Sequence, residues 1–313
     1  MNIKAIHIVH SGNRVDNLAL FKDAIPDIDK FVQTTGIRHR YVAPKQHCIE
    51  DYFIQGIRQI VSDIHSIDAI ITVTQTPSKL IPSLSNYLNQ QLHFKEEIIS
   101  YDLITGCTGY TEALTLANLL FHSTSAQRIL ICNGDFTSHI IDENNYTVQP
   151  LFSDIAATTL LEKRDDSFFV SNTKSFSDGY CAINSENGHM TLNGLDVYQF
   201  STLHVATTIQ QLLSKNNLTG EDITAFYFHQ ANKIINNTII RQLKITEENA
   251  PQSILEYGNS SSASIPLTLA LNVSNIKEKQ KILLSGFGVG FKICNVVMET
   301  TNFNANITIF EEH

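Results

Sequence analysis

An alternation of short and long patterns constrains this chain most. Apolar runs of strand length recur as IKAIHIV (3–9), DAIITVT (68–74), IISYDLI (98–104), RILICNGD (128–135), AATTLLE (156–162), ITAFYFH (223–229), KILLSGFG (281–288) and KICNVVME (292–299). Between several of them lie segments with helical apolar spacing: EDYFIQGIRQIVSDI (50–64), GYTEALTLANLLF (109–121), a stretch from Phe200 to about Leu213, and ANKIINNTIIRQL (231–243). A continuous apolar strand needs cover on both faces, and helices between strands supply it. The pattern therefore predicts α/β layers around a mostly parallel sheet. The alternation closes in a strand-rich ending near residues 150–170 and again near 281–299. The chain thus reads as two similar α/β halves, 1–163 and 164–313, with the polar LEKRDDS (161–167) at their junction. No low-complexity linker divides them, so the halves are expected to pack as one body.

Composition narrows the function classes. A net charge of −9 argues against non-specific nucleic-acid binding and gives no general attraction to anionic membranes. An acidic partner would need a local basic patch, and no Lys/Arg block provides an obvious one. The cysteines, Cys48, Cys107, Cys132, Cys181 and Cys294, are odd in number and far apart, with no C-x-x-C pair. A disulfide framework or a metal site is not expected, and a reducing compartment is. The opening MNIKAIHIVHSG lacks the long apolar region of a signal peptide, and no run approaches ~18–20 apolar residues. The expectation is a cytoplasmic protein that does not enter a membrane.

Three residues carry chemistry. Cys107, in DLITGCTGYTEAL (102–114), stands between a predicted strand and the helix that starts near Gly109. There unpaired N–H groups and the helix dipole favour a thiolate, and small neighbours let a carbonyl approach. His229 in FYFHQAN follows an apolar strand, and Asn259 in EYGNSSSASIPLTLAL opens an apolar helix. Each also has a purely structural reading: a small buried residue at a turn, a strand-end histidine, a helix N-cap. Together they form a Cys–His–Asn set at strand-to-helix turns, the edge where open α/β sheets place their sites. Such a set suits acyl transfer to the cysteine, with His and Asn donating to a second thioester oxygen.

In order along nearly the full length, TGIRHRY (35–41), CTGYTEAL (107–114), FSDIAATTLL (152–161), LNGLDVYQF (192–200), HQAN (229–232), YGNSSSASIP (257–266) and GFGVGF (286–291) stand where one family has its motifs. The chain resembles the thiolase-fold β-ketoacyl-acyl carrier protein synthase III family. The resemblance implies a thiolase-like fold and a two-stage reaction. A thioester acylates Cys107, and a malonyl thioester then undergoes decarboxylative Claisen condensation. It makes Cys107 the nucleophile, makes His229 and Asn259 the enolate-stabilising pair, and forms an oxyanion hole from the backbone N–H groups of Cys107 and Val289. It implies no cofactor beyond thioester substrates linked to coenzyme A or acyl carrier protein, and it implies a homodimer. GFGVGF lacks the spacing of a nucleotide loop and reads as a tight strand turn.

The chain departs from the family at three places. It has no Trp, and Lys30 or Phe31 falls where the family's coenzyme A platform has one, with Thr34 at the place of its arginine. The aromatic–guanidinium sandwich is lost, which favours a carrier protein as donor. A family arginine used to dock the acidic carrier falls on Ile234. Lys233, Arg241 and Lys244 are expected to replace it on one helix face. Ile81, before Pro82, occupies the place of a residue that shapes the acyl pocket across the dimer interface. These departures point to a specialised paralogue. Two competing readings are a non-decarboxylating acyltransferase acting on a hydroxyl or amine, and a silent subunit. Asn259 argues against the first and the intact Cys107 against the second.

Overall fold

The structure is a computed structural model that describes residues 1–186 and 188–312. Its strands are β1 (Asn2–His10), β2 (Arg14–Asp16), β3 (His39–Tyr41), β4 (Ala69–Val73), β5 (Ile99–Leu103), β6 (Arg128–Asp135), β7 (Ile155–Glu162), β8 (Phe169–Ser175), β9 (Ile183–Glu186), β10 (His189–Leu192), β11 (Ala225–Phe228), β12 (Lys281–Gly288), β13 (Lys292–Glu299) and β14 (Asn304–Ile309). Its helices are α1 (Asn17–Leu20), α2 (Ile28–Thr35), α3 (Ile49–Ile60), α4 (Leu84–Leu92), α5 (Gly109–Ser123), α6 (Gly194–Lys215), α7 (Lys233–Leu243), α8 (Ile254–Tyr257) and α9 (Ser264–Leu271).

Two larger sheets result, one of six strands in the order β14-β1-β7-β6-β4-β5 and one of four in the order β11-β12-β13-β8. Alternation along each strand feeds different layers. In β1, Ile6 and Ile8 face a core shared with α5 and α9, while Ala5 and Val9 face α3 and α4. In β12, Ile282 and Leu284 join that same inner core, whereas Leu283 and Phe287 pack under α6 and α7. The layers therefore run helix, sheet, helix, sheet, helix. Helix α9 lies in the middle and is buried over nearly its whole length, as a helix apolar on every side must be.

The sheets are mixed rather than mostly parallel. β4 runs parallel to β5 and β6, and β1 parallel to β14, but β7 is antiparallel to both β1 and β6. In the second sheet only β11 and β12 are parallel. The cause lies in the connections. No α-helix separates β6 from β7, and β12 returns to β13 through the tight turn of GFGVGF, so neither pair has the crossover that parallel strands require. The last strand, β14, belongs to the first sheet beside β1. Helix α6 begins ahead of Phe200, because Asn193 Oδ1 accepts from the N–H groups of Leu195 and Asp196 and starts it there.

Candidate active site

The Cys107 turn is shaped by what presses on it. It follows β5 and is capped by Thr108 and Gly109 at the start of α5. The β12–β13 turn lies against it so closely that a Cβ on Gly288 would sit 2.9 Å from Cys107 Cβ and 3.0 Å from its sulfur. Gly288 also has φ +150°, where a side chain is strained, so glycine is required there on both counts. On the other side of the turn, a Cβ on Gly109 would meet Val73 Cγ1 at 2.2 Å.

Burial pushes the Cys107 thiol up to about 12, and the neighbouring Asp135 carboxylate adds to the shift. Hydrogen bonds from the backbone N–H groups of Val289 and Cys107 itself, and from the Ser261 hydroxyl, pull the other way. The helix N-terminus was expected to favour a thiolate. Desolvation opposes that preference and holds the sulfur toward the thiol form. The two amides named from the sequence do converge on the sulfur.

His229 follows β11 directly, and its ring is fully buried. The Ser264 hydroxyl accepts from Gln230 N–H at 3.3 Å and lies 2.8 Å from His229 Nδ1. With the Ser264 hydroxyl donating to Nδ1, Nε2 carries the ring's N–H, which is the tautomer the expected second stage uses. Burial drives the imidazolium pKa down to about 3, with a partial offset from a Ser261 carbonyl hydrogen bond, so the ring is neutral at ordinary pH. Asn259 is held by its backbone as well as its side chain. Its N–H donates to Leu151 O, its carbonyl accepts from Ser153 N–H, and its Oδ1 accepts from Ser261 N–H at 2.9 Å. Asn259 does not cap α9, whose N-cap is Ala263; its side chain instead closes a turn onto Ser261. That turn fixes which end of the amide is free, because Nδ2 has only a long 3.5 Å contact to Ala231 O.

Cys107, His229, Asn259 and Val289 line one cavity of about 290 Å³. The same cavity is also lined by the apolar Phe152, Ile183, Met190, Leu192, Val197 and Phe287. An apolar-lined space that also holds a thiol, a neutral N–H donor and an amide NH2 suits an acyl chain whose carbonyl stops at the polar groups.

Comparison with known proteins adds the lineage. Residues 101–179 match the family described as 3-oxoacyl-[acyl-carrier-protein (ACP)] synthase III, and residues 213–300 match the C-terminal part of the same synthase. A β-ketoacyl-[acyl-carrier-protein] synthase III of Staphylococcus epidermidis is 32% identical over 90% of this chain and 93% of its own. The chain belongs to the β-ketoacyl-[acyl-carrier-protein] synthase III family. Among solved structures, a synthase III of Thermus thermophilus superposes with a TM-score of 0.89 at 27% identity, over 96% of this chain and 100% of the other. A 3-oxoacyl-(acyl-carrier protein) synthase of Burkholderia xenovorans reaches 0.91 at 23% identity, over 98% and 97%. The thiolase-like fold expected from the sequence is the fold observed.

The remaining residues named from the sequence of this synthase III chain fall as follows. Phe31, not Lys30, lines the cavity. Lys233 and Arg241 line a shallow depression with Gln33, Thr34 and Ile234. Lys244 does not share their helix face: α7 ends at Leu243, and Lys244 caps it in the left-handed conformation with φ 58°. An angular progression of 100° per residue stops applying where the helix stops. Ile81 is 88% exposed and does not line the cavity of its own chain.

Two cavity residues were not singled out by sequence reasoning, Asp135 at the end of β6 and Ser261 in the turn before α9. The available signal for Asp135 was a carboxylate closing the apolar run RILICNGD. Burial raises that carboxyl to about 6, with the nearby Ser261 hydroxyl and hydrogen bonds from Gln75 N–H and the Thr74 hydroxyl opposing the rise. Nothing in a run of three serines marks the second of them.

Proposed function

We propose that this chain is a decarboxylating condensing enzyme of the synthase III type, an acyltransferase that builds a carbon–carbon bond. In the first stage Cys107 Sγ attacks a thioester carbonyl. The carbonyl oxygen takes up negative charge between the N–H groups of Cys107 and Val289, and the departing thiol leaves an acyl-cysteine. In the second stage a malonyl thioester enters the same cavity, its carbonyl oxygen held by His229 Nε2–H and Asn259 Nδ2. Loss of carbon dioxide puts charge on that oxygen. The carbanion attacks the acyl carbon and releases Cys107. One observation carries the reading: a thiol flanked by two backbone N–H groups shares a cavity with two neutral donors whose other ends are already engaged. A neutral histidine can serve the second stage, because the N–H of the uncharged ring donates to the oxygen on which charge develops.

The substrates arrive as thioesters, so the reaction calls for no separate cofactor. A carrier protein is the favoured donor. Phe31 offers one aromatic face at the cavity, but Thr34 supplies no guanidinium to complete a sandwich. Lys233 and Arg241 sit next to the cavity mouth, since Thr35 and Asn232 line the cavity while their neighbours Thr34 and Lys233 line the depression. An acidic carrier docked there would present its thioester to Cys107, and acyl-coenzyme A remains a secondary donor. The enzyme acts as a homodimer in the cytoplasm. Five free thiols support the compartment.

Intact-protein mass spectrometry with a panel of carrier-linked and coenzyme A thioesters tests the first stage, and release of carbon dioxide from a malonyl thioester tests the second. Cys107→Ala should take up no acyl mass. Asn259→Ala should still form the acyl-enzyme but decarboxylate about 10²–10³-fold more slowly, the usual worth of a donor aimed at developing charge. Decarboxylation at the wild-type rate in Asn259→Ala would refute the mechanism. Acylation of an alcohol or amine with no carbon dioxide released would make the chain a simple transferase.

A further inference from the structure

A buried carboxylate beside a nucleophilic thiol is a paradox. Asp135 is 2% exposed at the carboxyl end of β6 and lines the cavity with Cys107. Its charge works against the thiolate that acyl transfer needs. One carboxylate oxygen is fully engaged: Oδ1 accepts from Gln75 N–H at 2.6 Å and from the Thr74 hydroxyl at 3.2 Å. The other, Oδ2, is buried with no formed hydrogen bond. A buried carboxylate oxygen without a protein partner costs ~1–3 kcal/mol relative to a paired one, so its retention calls for a reason.

Ser261 lines the same cavity as both groups. Its hydroxyl lies close enough to bear on both the Cys107 sulfur and the Asp135 carboxyl, although no aligned hydrogen bond to Oδ2 is formed at rest. The residue is held there at a cost, because it has φ 49°, in the left-handed region that a serine rarely adopts. Asn259 Oδ1 pins it through Ser261 N–H. Among the titratable groups that line the cavity, His229 is neutral, and with the Ser264 hydroxyl donating to Nδ1 its Nε2 presents an N–H. It has no lone pair free to take the thiol proton.

We infer that Ser261 and Asp135 form a proton relay for acylation, in which the Cys107 thiol proton passes to Ser261 Oγ while the Ser261 hydroxyl proton passes to Asp135 Oδ2. As the S–H bond breaks, the sulfur electron pair forms the new bond to the thioester carbon. When the tetrahedral adduct collapses, the bond to the departing sulfur breaks. That sulfur takes a proton back from Ser261, which regains one from Asp135. The carboxylate is restored and no other reactant is consumed. In this relay Ser261 exchanges protons with the sulfur and is the catalytic member; Asp135 acts through it and is the positioning acceptor.

The relay rests on Cys107 being the acylated nucleophile, and its signature is the pH profile of that step alone. Acetylation by S-acetyl-N-acetylcysteamine, followed by intact mass from pH 5 to 8, is the measurement. Besides Cys107 and Asp135, the charged groups near the relay are His229, which titrates well below this window, and Asp154, which faces Asp135 and is unchanged in both variants. In wild type the rate should level off above about pH 6, once Asp135 is ionised and able to accept. Asp135→Asn should be about 10²-fold slower at pH 7, the low end for a lost general base, and should keep rising nearly tenfold per pH unit. That slope is what attack through the bare thiolate requires. Ser261→Gly removes the hydroxyl while relaxing the left-handed backbone, so it should fold at least as well and show the same slope. A wild-type profile that rises without a plateau, or a plateau kept in both variants, overturns the relay. Wild type that gains no acetyl group at any pH, while Cys107 still reacts with iodoacetamide, overturns the condensing-enzyme reading on which the relay rests.

Discussion

At the residue scale, Asp135 places function against stability. Its carboxyl titrates near 6 in the fold against an ordinary value of 3.8. Folding therefore disfavours its charged form. The penalty is absent below the unfolded value, grows as pH rises from about 4 to 6, and is complete above the folded value. A shift of this size corresponds to about 2–3 kcal/mol. Asp135→Asn should consequently melt higher than wild type at pH 7.5, with the gain shrinking toward pH 4. Differential scanning calorimetry of the two proteins at both pH values checks this, and equal melting temperatures at pH 7.5 would count against a strained carboxylate. The same scale shows what was legible in the sequence. Cys107, His229 and Asn259 each combine a telling residue type with the end of an apolar run, and the fold brings all three to one cavity. Asp135 and Ser261 were not legible, because an acidic strand end and a serine in a polar turn are ordinary local features. Their meaning comes from the packing of β6 and the pre-α9 turn against the Cys107 turn.

At the scale of elements, helical and strand periods identified the buried strands and the edge strands β5 and β11, but missed the other edges, β8 and β14. Strands β8 and β14 are only partly buried, and neither FVSNTKS nor NANITI reads as an apolar run. Helix α7 was found with its end at Leu243, but Lys244, the residue just past that end, was counted on its face as though the helix continued. The basic face is therefore Lys233 and Arg241 alone, with Glu247 in the same depression. Two exposed cations next to a carboxylate make a weak, salt-sensitive attraction rather than a strong site. Lys233→Glu combined with Arg241→Glu should lower kcat/KM for a carrier-linked thioester about tenfold, less so at high salt, and leave a small soluble thioester nearly unaffected. Steady-state kinetics with both substrates decides the matter. Equal loss on both would mean that the variant disturbs α7 rather than docking, since the neighbouring Asn232 and Ile235 line the cavity itself.

At the scale of the whole molecule, the first sheet ends on β5, whose outer edge has no partner strand among the described residues. Leu80 (77% exposed), Ile81 (88%), Tyr101 (44%) and Ile104 (71%) are large apolar residues on or beside that edge strand. An open strand edge with exposed apolar residues on and beside it is a liability in a monomer and a natural seam for a second copy. If β5 meets β5 of a second copy about a two-fold axis, the sheet continues through the pair and these side chains are covered. The seam would also lie close to the chemistry, because β5 leads through Ile104 directly into the Cys107 turn. In this arrangement Ile81, idle in its own chain, is free to reach the acyl end of the partner's cavity. The wild-type protein should sediment at twice the 35.0 kDa chain mass, and Tyr101→Lys with Ile104→Asp should release monomers. Ile81→Trp should leave the dimer intact but shift acyl preference toward shorter chains, a change a surface residue of a monomer could not produce. A wild-type monomer at micromolar concentration would remove the seam. An unchanged chain-length profile in a dimeric Ile81→Trp would keep the seam and take the pocket role away from Ile81.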